Sequence, residues 1–121
     1  MLTHSRRWWS VSAFLIVFGS IIVVFAAGRR RIGPSYTAVR TIVDRHCVGC
    51  HSEQPTVAAF PIAAGGLALD NAEQMQRYAQ RIEERVVRQR NMPLLNKTDM
   101  TNDERALLGA WVESGALGPH F

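Results

Sequence analysis

Cys47-Val48-Gly49-Cys50-His51 gathers every cysteine of this 121-residue chain, together with a histidine, into five positions. C-x-x-C-H is the pattern of covalent c-type haem attachment, in which two thiols bond the porphyrin's vinyl groups and the imidazole ligates iron. The spacing has a physical reason. On a helical turn, residues i, i+3 and i+4 share one face, so both thiols and the ring meet the same ligand. Two other chemistries use paired cysteines. A zinc site wants two further Cys or His ligands at comparable spacing, and none is present. A thioredoxin-like pair wants a βαβ setting, whereas the surrounding pattern is helical. The expectation is one covalent haem c, attached through Cys47 and Cys50, with His51 as the proximal iron ligand.

The second axial ligand is sought in Asn91-Met92-Pro93-Leu94-Leu95-Asn96-Lys97-Thr98-Asp99-Met100. A thioether is a soft, neutral ligand that favours ferrous iron and raises the reduction potential, which suits electron transfer without substrate chemistry. Met92 is the first choice. Pro93 cannot continue a helix and restricts Met92 to an extended conformation, so the side chain is presented from a stiff loop. Met100 is the competing ligand, with a bland role as an adaptable apolar filler. His120 or an open site stands behind these two. Met75 belongs to an apolar helical stripe and reads as core. His46 adjoins the attachment motif and cannot reach the far side of the ring, and His4 is remote.

The elements that position these groups read as helices. Tyr36, Val39, Val43 and Cys47 recur at helical spacing and run into the pentapeptide. Residues 52–66 hold Pro55, Pro61, Gly65 and Gly66, too many breakers for regular structure, so a loop is expected round one haem edge. Asp70 with Glu73 resembles a capping box, and Met75, Tyr78, Ala79, Ile82 and Val86 repeat at helical period after it. Arg77, Arg81, Arg85 and Arg88 fall on the opposite face, either a solvated stripe among Glu73, Glu83 and Glu84 or a docking surface for an acidic redox partner. Thr101 with Glu104 opens a last helix through Leu107, Leu108, Trp111 and Val112, ending at Gly115. Trp111 either packs against the porphyrin or, as the simpler reading, fills the interface between the terminal helices. No sustained period-two alternation occurs, so no strand is expected.

Charge is distributed unevenly. Residues 1–32 carry five arginines and no acid, while residues 33–121 carry nine Lys or Arg against ten Asp or Glu. The formal net charge of +4 therefore comes from the N-terminal segment, and the remainder has no excess charge for phosphates, which argues against a nucleic-acid binder. Trp8 to Gly28 is a run of 21 residues without a charge, long enough as a helix to span about 30 Å of hydrocarbon. Trp8 and Trp9 sit at its edge, where indole favours the interface. A retained membrane anchor is expected. A cleaved signal peptide ending near Val24-Phe25-Ala26 is the rival, although the apolar run exceeds a usual signal core. Counting flanking arginines would keep the C-terminal side inside, whereas haem attachment to C-x-x-C-H takes place outside the bacterial cytoplasm. The haem motif decides the orientation. The expected organisation is all-α, with an anchor over 1–32 and a small haem domain over 33–121, where a covalent cofactor adds apolar interior to a marginal core.

From Tyr36 to Ala116 the chain resembles the C-terminal cytochrome c domain of bacterial membrane-bound urate oxidases, also called urate hydroxylases. The similar pieces are Thr41-Ile42-Val43 before the pentapeptide and Ser52, the corner Arg90-Asn91-Met92-Pro93, Asn96 with Thr98, Met100-Thr101, and Glu104 to Trp111. In that family a multi-helix membrane domain precedes the cytochrome, whereas this chain has a single hydrophobic segment without an ionisable side chain and so no purine pocket. The resemblance implies a cytochrome c fold with His51 and Met92 as axial ligands. It also implies an electron acceptor for such an oxidase, or for a related membrane dehydrogenase, on a separate chain. The functional expectation is a single-pass protein of the bacterial inner membrane with its haem domain in the periplasm. It would pass single electrons from a membrane oxidoreductase towards a downstream cytochrome or terminal oxidase of the respiratory chain. It is not expected to be an enzyme on its own. Two alternatives stand beside this: a haem enzyme or sensor with a labile sixth ligand, and an accessory structural subunit of a membrane oxidoreductase complex.

Overall fold

Ser35 starts the first helix by accepting the Ala38 N–H on its side chain, 3.3 Å away, in the computed structural model, which describes residues 33–119. The chain divides into two units between Arg31 and Ile32, and the described residues belong to the second. The apolar segment Trp8 to Gly28 with its basic flanks, and His120, lie outside the described residues. No helix among the described residues is long and apolar enough to cross a membrane.

Helix α1, Tyr36–His46, buries Val39, Ile42 and Val43 on the face its periodicity predicts. Two short helices come after the loop, α2 at Ala72–Arg77 and α3 at Ala79–Ile82, and the chain continues as a π-helical stretch over Glu83–Arg88. The last helix, α4, spans Asn102–Glu113. Short 3₁₀ turns at Ala64–Gly66 and Leu94–Asn96 complete the set. The described residues contain no strand, so the all-α expectation holds for them.

Helix α4 is the common neighbour. It packs against α1, against α3 and against the π stretch. Trp111 is fully buried on its inner face, and its Nε1–H donates to the Leu117 carbonyl at 3.0 Å, which satisfies the one polar atom of the ring. Leu108 and Val112 share that face, and across from them lie Val39 and Val43 of α1 together with Met75, Ile82 and Val86. Burying a side chain of this size contributes about 1.5–3 kcal/mol, so this cluster is the main source of cohesion. Near the start of the unit, Gly33 lies so close to Ser114 that an added Cβ would stand 1.9 Å from its Oγ.

The capping box of α4 forms as read from the sequence. Thr101 Oγ1 accepts the Glu104 N–H at 3.2 Å, and Glu104 returns the contact by accepting the Thr101 N–H at 2.8 Å. The box expected at Asp70 is not the cap of α2. Asn71 takes that place, accepting the Gln74 N–H at 2.9 Å, because Asp70 is already engaged with the turn after the pentapeptide. Its carboxylate accepts the Glu53 N–H at 2.8 Å. The Ser52 hydroxyl and that Glu53 N–H together hold the Asp70 carboxyl below its usual range.

The single long helix suggested by Met75, Tyr78, Ala79, Ile82 and Val86 is broken. At Tyr78 the backbone leaves helical geometry (φ −103°, ψ 10°), and beyond Ile82 it widens, with the Gln89 N–H reaching back five residues to the Glu84 carbonyl at 2.9 Å. The buried face is nevertheless the expected one, since Met75, Ala79, Ile82 and Val86 all lie in the core.

Candidate functional site

Helix α1 stops at His46, but hydrogen-bonded turns carry the chain through the pentapeptide. The Cys47 N–H still donates to Val43, and the His51 N–H closes a helical turn on the Cys47 carbonyl at 2.8 Å. The one-face geometry expected of i and i+4 therefore survives past the end of the helix. The next loop is stitched to this turn by its backbone. Gly49 accepts from Thr56 and Val57, Cys50 from Ala64 at 2.9 Å, and His51 from Leu69 at 2.8 Å. Three consecutive carbonyls of the motif are thus satisfied by the segment expected to fold round one edge of the site.

His51 Nδ1 lies 3.1 Å from the Leu67 carbonyl oxygen. A carbonyl only accepts, so Nδ1 carries the proton and donates, and Nε2 keeps the lone pair a metal would use. The ring lines a cavity of about 230 Å³ whose wall also contains Cys47, Leu67, Leu69, Ile82, Val86 and Met92. Cys47 and Cys50 are free thiols. Burial pushes the Cys47 thiol up to about 12, with Cys50 and Asp44 adding to the effect and Arg40 opposing it. A thiol so disposed is neutral near pH 7, the opposite of the activated thiolate that a redox pair uses. Cys50 is half-buried on the same turn, outside the cavity lining.

The structure therefore brings Cys47, His51 and Met92 to one apolar cavity. Met100 is not part of its lining. It is buried in the core, with its carbonyl accepting from Asn96 Nδ2 at 3.2 Å. Met75 is fully buried, with Arg40 Nη1 3.6 Å from its sulfur. An imidazole, a thioether and one thiol meet at this cavity, with a second thiol, Cys50, on the same turn, and such a donor set fits a porphyrin attached through cysteine with iron held by nitrogen and sulfur. Among the described residues no group of three or more His, Cys, Asp or Glu is assembled as a metal cluster.

Met92 is held through its backbone. Its N–H donates to the Arg85 carbonyl at 3.2 Å, and its own carbonyl accepts from Arg105 Nη1 at 2.6 Å. The Met92–Pro93 peptide is cis. The four arginines of the stripe are all exposed, as its period suggests. Arg77 pairs with Glu73 and Arg88 with Glu83, while Arg81 and Arg85 also stand among the residues that line the cavity.

Two further residues make contacts that spacing alone does not reveal. Arg105 is 6 % exposed and donates to the Val86 carbonyl, the Met92 carbonyl and Asn96 Oδ1. Burial, aided by the nearby charge of Arg90, lowers its pKa from the ordinary arginine value. The signal was present, since Arg105, Leu108 and Val112 fall on one helical face, so a cation stands on the apolar stripe. His46 is also buried, with Nδ1 2.8 Å from Thr98 Oγ1 and Nε2 3.2 Å from Glu104. The Thr101 N–H in the cap is the main cause that holds the Glu104 carboxyl down at about 2, and His46 and the Thr101 hydroxyl add to it against the effect of burial.

No protein-family model, no curated protein and no solved structure matches this chain. Its function is therefore read from its own residues.

Proposed function

We propose that this chain is a membrane-anchored mono-haem c-type cytochrome that transfers single electrons from a membrane oxidoreductase towards the respiratory chain. The observation that carries the reading is the His51 ring, locked by the Leu67 carbonyl as an Nε2 donor on the wall of the same cavity as Cys47 and Met92. Cys47 and Cys50 would hold the porphyrin as thioethers, and His51 and Met92 would be the axial ligands, with Met100 left to the core. Bound there, the haem supplies one-electron exchange at iron.

The chain's own residues do the rest. Leu67, Leu69, Ile82 and Val86 line the cavity with apolar surface that would give a bound haem a low-dielectric wall and limit water at its iron. The Leu67 carbonyl orients the imidazole and raises its basicity as a ligand. Trp8 to Gly28 would anchor the haem domain at the periplasmic face of a bacterial inner membrane, raising its local concentration near its partners. The resemblance to the cytochrome domain of membrane urate oxidases suggests a donor of that kind or a related dehydrogenase, with a downstream cytochrome or terminal oxidase as acceptor.

A spectroelectrochemical titration of the detergent-purified holoprotein tests this. It should show a low-spin haem reducing in a single one-electron step at positive potential. A high-spin ferric spectrum that readily takes cyanide would favour a haem enzyme or sensor instead.

A further inference from the structure

We infer that Arg105 is the positioning residue of the Met92 ligand: its guanidinium fixes the loop that presents the thioether and governs whether that ligand stays in place. The inference rests on the cytochrome reading and adds a residue that the motif does not contain.

Three acceptors from three segments converge on this one side chain. Arg105 Nη1 donates to the Val86 carbonyl at 2.7 Å and to the Met92 carbonyl at 2.6 Å, and Nη2 donates to Asn96 Oδ1 at 2.9 Å. Val86 belongs to the π stretch, Met92 to the ligand loop, and Asn96 to the turn beyond it. The π winding gives Val86 a carbonyl to offer, because Arg90, four residues on, turns left-handed at φ 56° and the next amide, Asn91, donates to Arg85 instead. Arg105 thus closes the end of one helix and pins the ligand backbone with the same planar fork.

The loop needs such a clamp. Arg90, Leu95, Asn96 and Asp99 all have φ between 50° and 57°, so four non-glycine residues within ten positions occupy the left-handed region. Such a segment persists only where its surroundings over-determine it. Asn96 links the clamp onward, donating to the Met100 carbonyl while accepting from Arg105. A buried cation is costly, and among the described residues no carboxylate pairs with Arg105; its partners are neutral oxygens. An apolar residue there would pack as well, but it could not hold the Met92 carbonyl.

Two consequences separate this role from general stability. Loosening the clamp should let the thioether leave the iron, opening a position for small ligands. Removing a buried positive charge beside the ligand loop should also favour the more positive ferric state and lower the reduction potential.

The test uses the full-length holoprotein and its Arg105→Lys, Arg105→Gln and Asn96→Ala variants. Imidazole is the probe, read with the ferric Met-to-iron charge-transfer band and the potential. Arg105→Gln should weaken the band, lower the potential and tighten imidazole binding by about tenfold or more, the range in which outer partners of metal ligands act. Arg105→Lys, which keeps the charge but not the fork, should retain the potential better than the band. Asn96→Ala should shift imidazole affinity in the same direction by a smaller factor, and it carries the test should Arg105→Gln not accumulate. If the variants lose unfolding stability while band, potential and imidazole affinity stay at wild-type values, Arg105 is a structural residue and the inference is overturned. Failure of the cytochrome reading looks different, because the wild-type protein itself would then lack the band, whether it holds a high-spin haem or none.

Discussion

The two walls of the cavity are built in contrasting ways. On the cysteine side, the turn 47–51 and the loop to Leu69 are joined by backbone hydrogen bonds between segments close in sequence, and His51 takes its orientation from Leu67, sixteen residues away. On the methionine side, the π stretch, Met92 and the left-handed loop after it are held by side chains from α4, above all Arg105. The first wall is a local device, written in a motif; the second depends on the packing of a distant helix. Under the proposed function, an iron ligated from both walls would have one rigid partner and one whose hold is set by tertiary structure.

The sharpest way to break this contrast is at the ligands. Met92→Ala should remove the charge-transfer band, give a high-spin or solvent-ligated iron, and lower the potential by about 0.1–0.3 V, part of the roughly 0.8 V range that axial ligands span. His51 and the thioether bonds should hold the haem in place, so haem content stays near stoichiometric. A band that persists in Met92→Ala would move the sixth ligand elsewhere, with Met100 next to examine.

Glu104 tests the link between the walls, because it caps α4 at Thr101 and meets His46 of α1. Glu104→Ala should cost about 1–2 kcal/mol in urea unfolding at neutral pH, from the lost cap and the unpaired buried ring. Acid should have a related effect. The folded-state value of about 2 lies below the ordinary 4.5, so the stability Glu104 adds is complete above about pH 4.5 and lost as pH falls towards 2. The wild type should therefore lose stability across that window more steeply than Glu104→Ala. Parallel curves for the two proteins would show that the carboxylate is not coupled to folding.

Asp70 probes the cysteine side alone. Asp70→Ala removes the acceptor of the Glu53 N–H and the Ser52 hydroxyl, for a loss of about 1 kcal/mol seen in thermal unfolding. The charge-transfer band should not change, since this contact belongs to the other wall. The smallest effect is expected at Leu95, which is 83 % exposed with φ 54°. Leu95→Gly relieves a left-handed leucine at little packing cost and should leave stability equal or about 0.5 kcal/mol higher; a clear loss would mean that the leucine side chain packs in the holoprotein.

What the sequence disclosed obeys the same division. The turn at the pentapeptide, the stiff Met92-Pro93 corner and the Thr101–Glu104 box rest on residues within a few positions of one another, where spacing has direct geometric meaning. The buried faces of α1 and α4 were equally plain from their period. The cap of α2 was displaced by one residue because Asp70 and Asn71 are both competent caps, and a contact with Ser52 and Glu53 decides between them. The break at Tyr78 and the π stretch carry no proline or glycine to announce them, so the place of exposed Arg81 and Arg85 at the cavity edge is not legible from period alone. Arg105 and His46 act across 13 and 58 positions of chain respectively, to Met92 and to Glu104, and no local pattern reports such a distance.

Intact mass measurement of the protein purified from cells competent in cytochrome maturation bears most directly on the covalent attachment at Cys47 and Cys50. The polypeptide should be heavier by one haem and should keep its visible absorbance after denaturation, with Cys47→Ala plus Cys50→Ala abolishing both. A mass equal to that of the amino acids alone, in cells that mature other c-type cytochromes, would contradict the account.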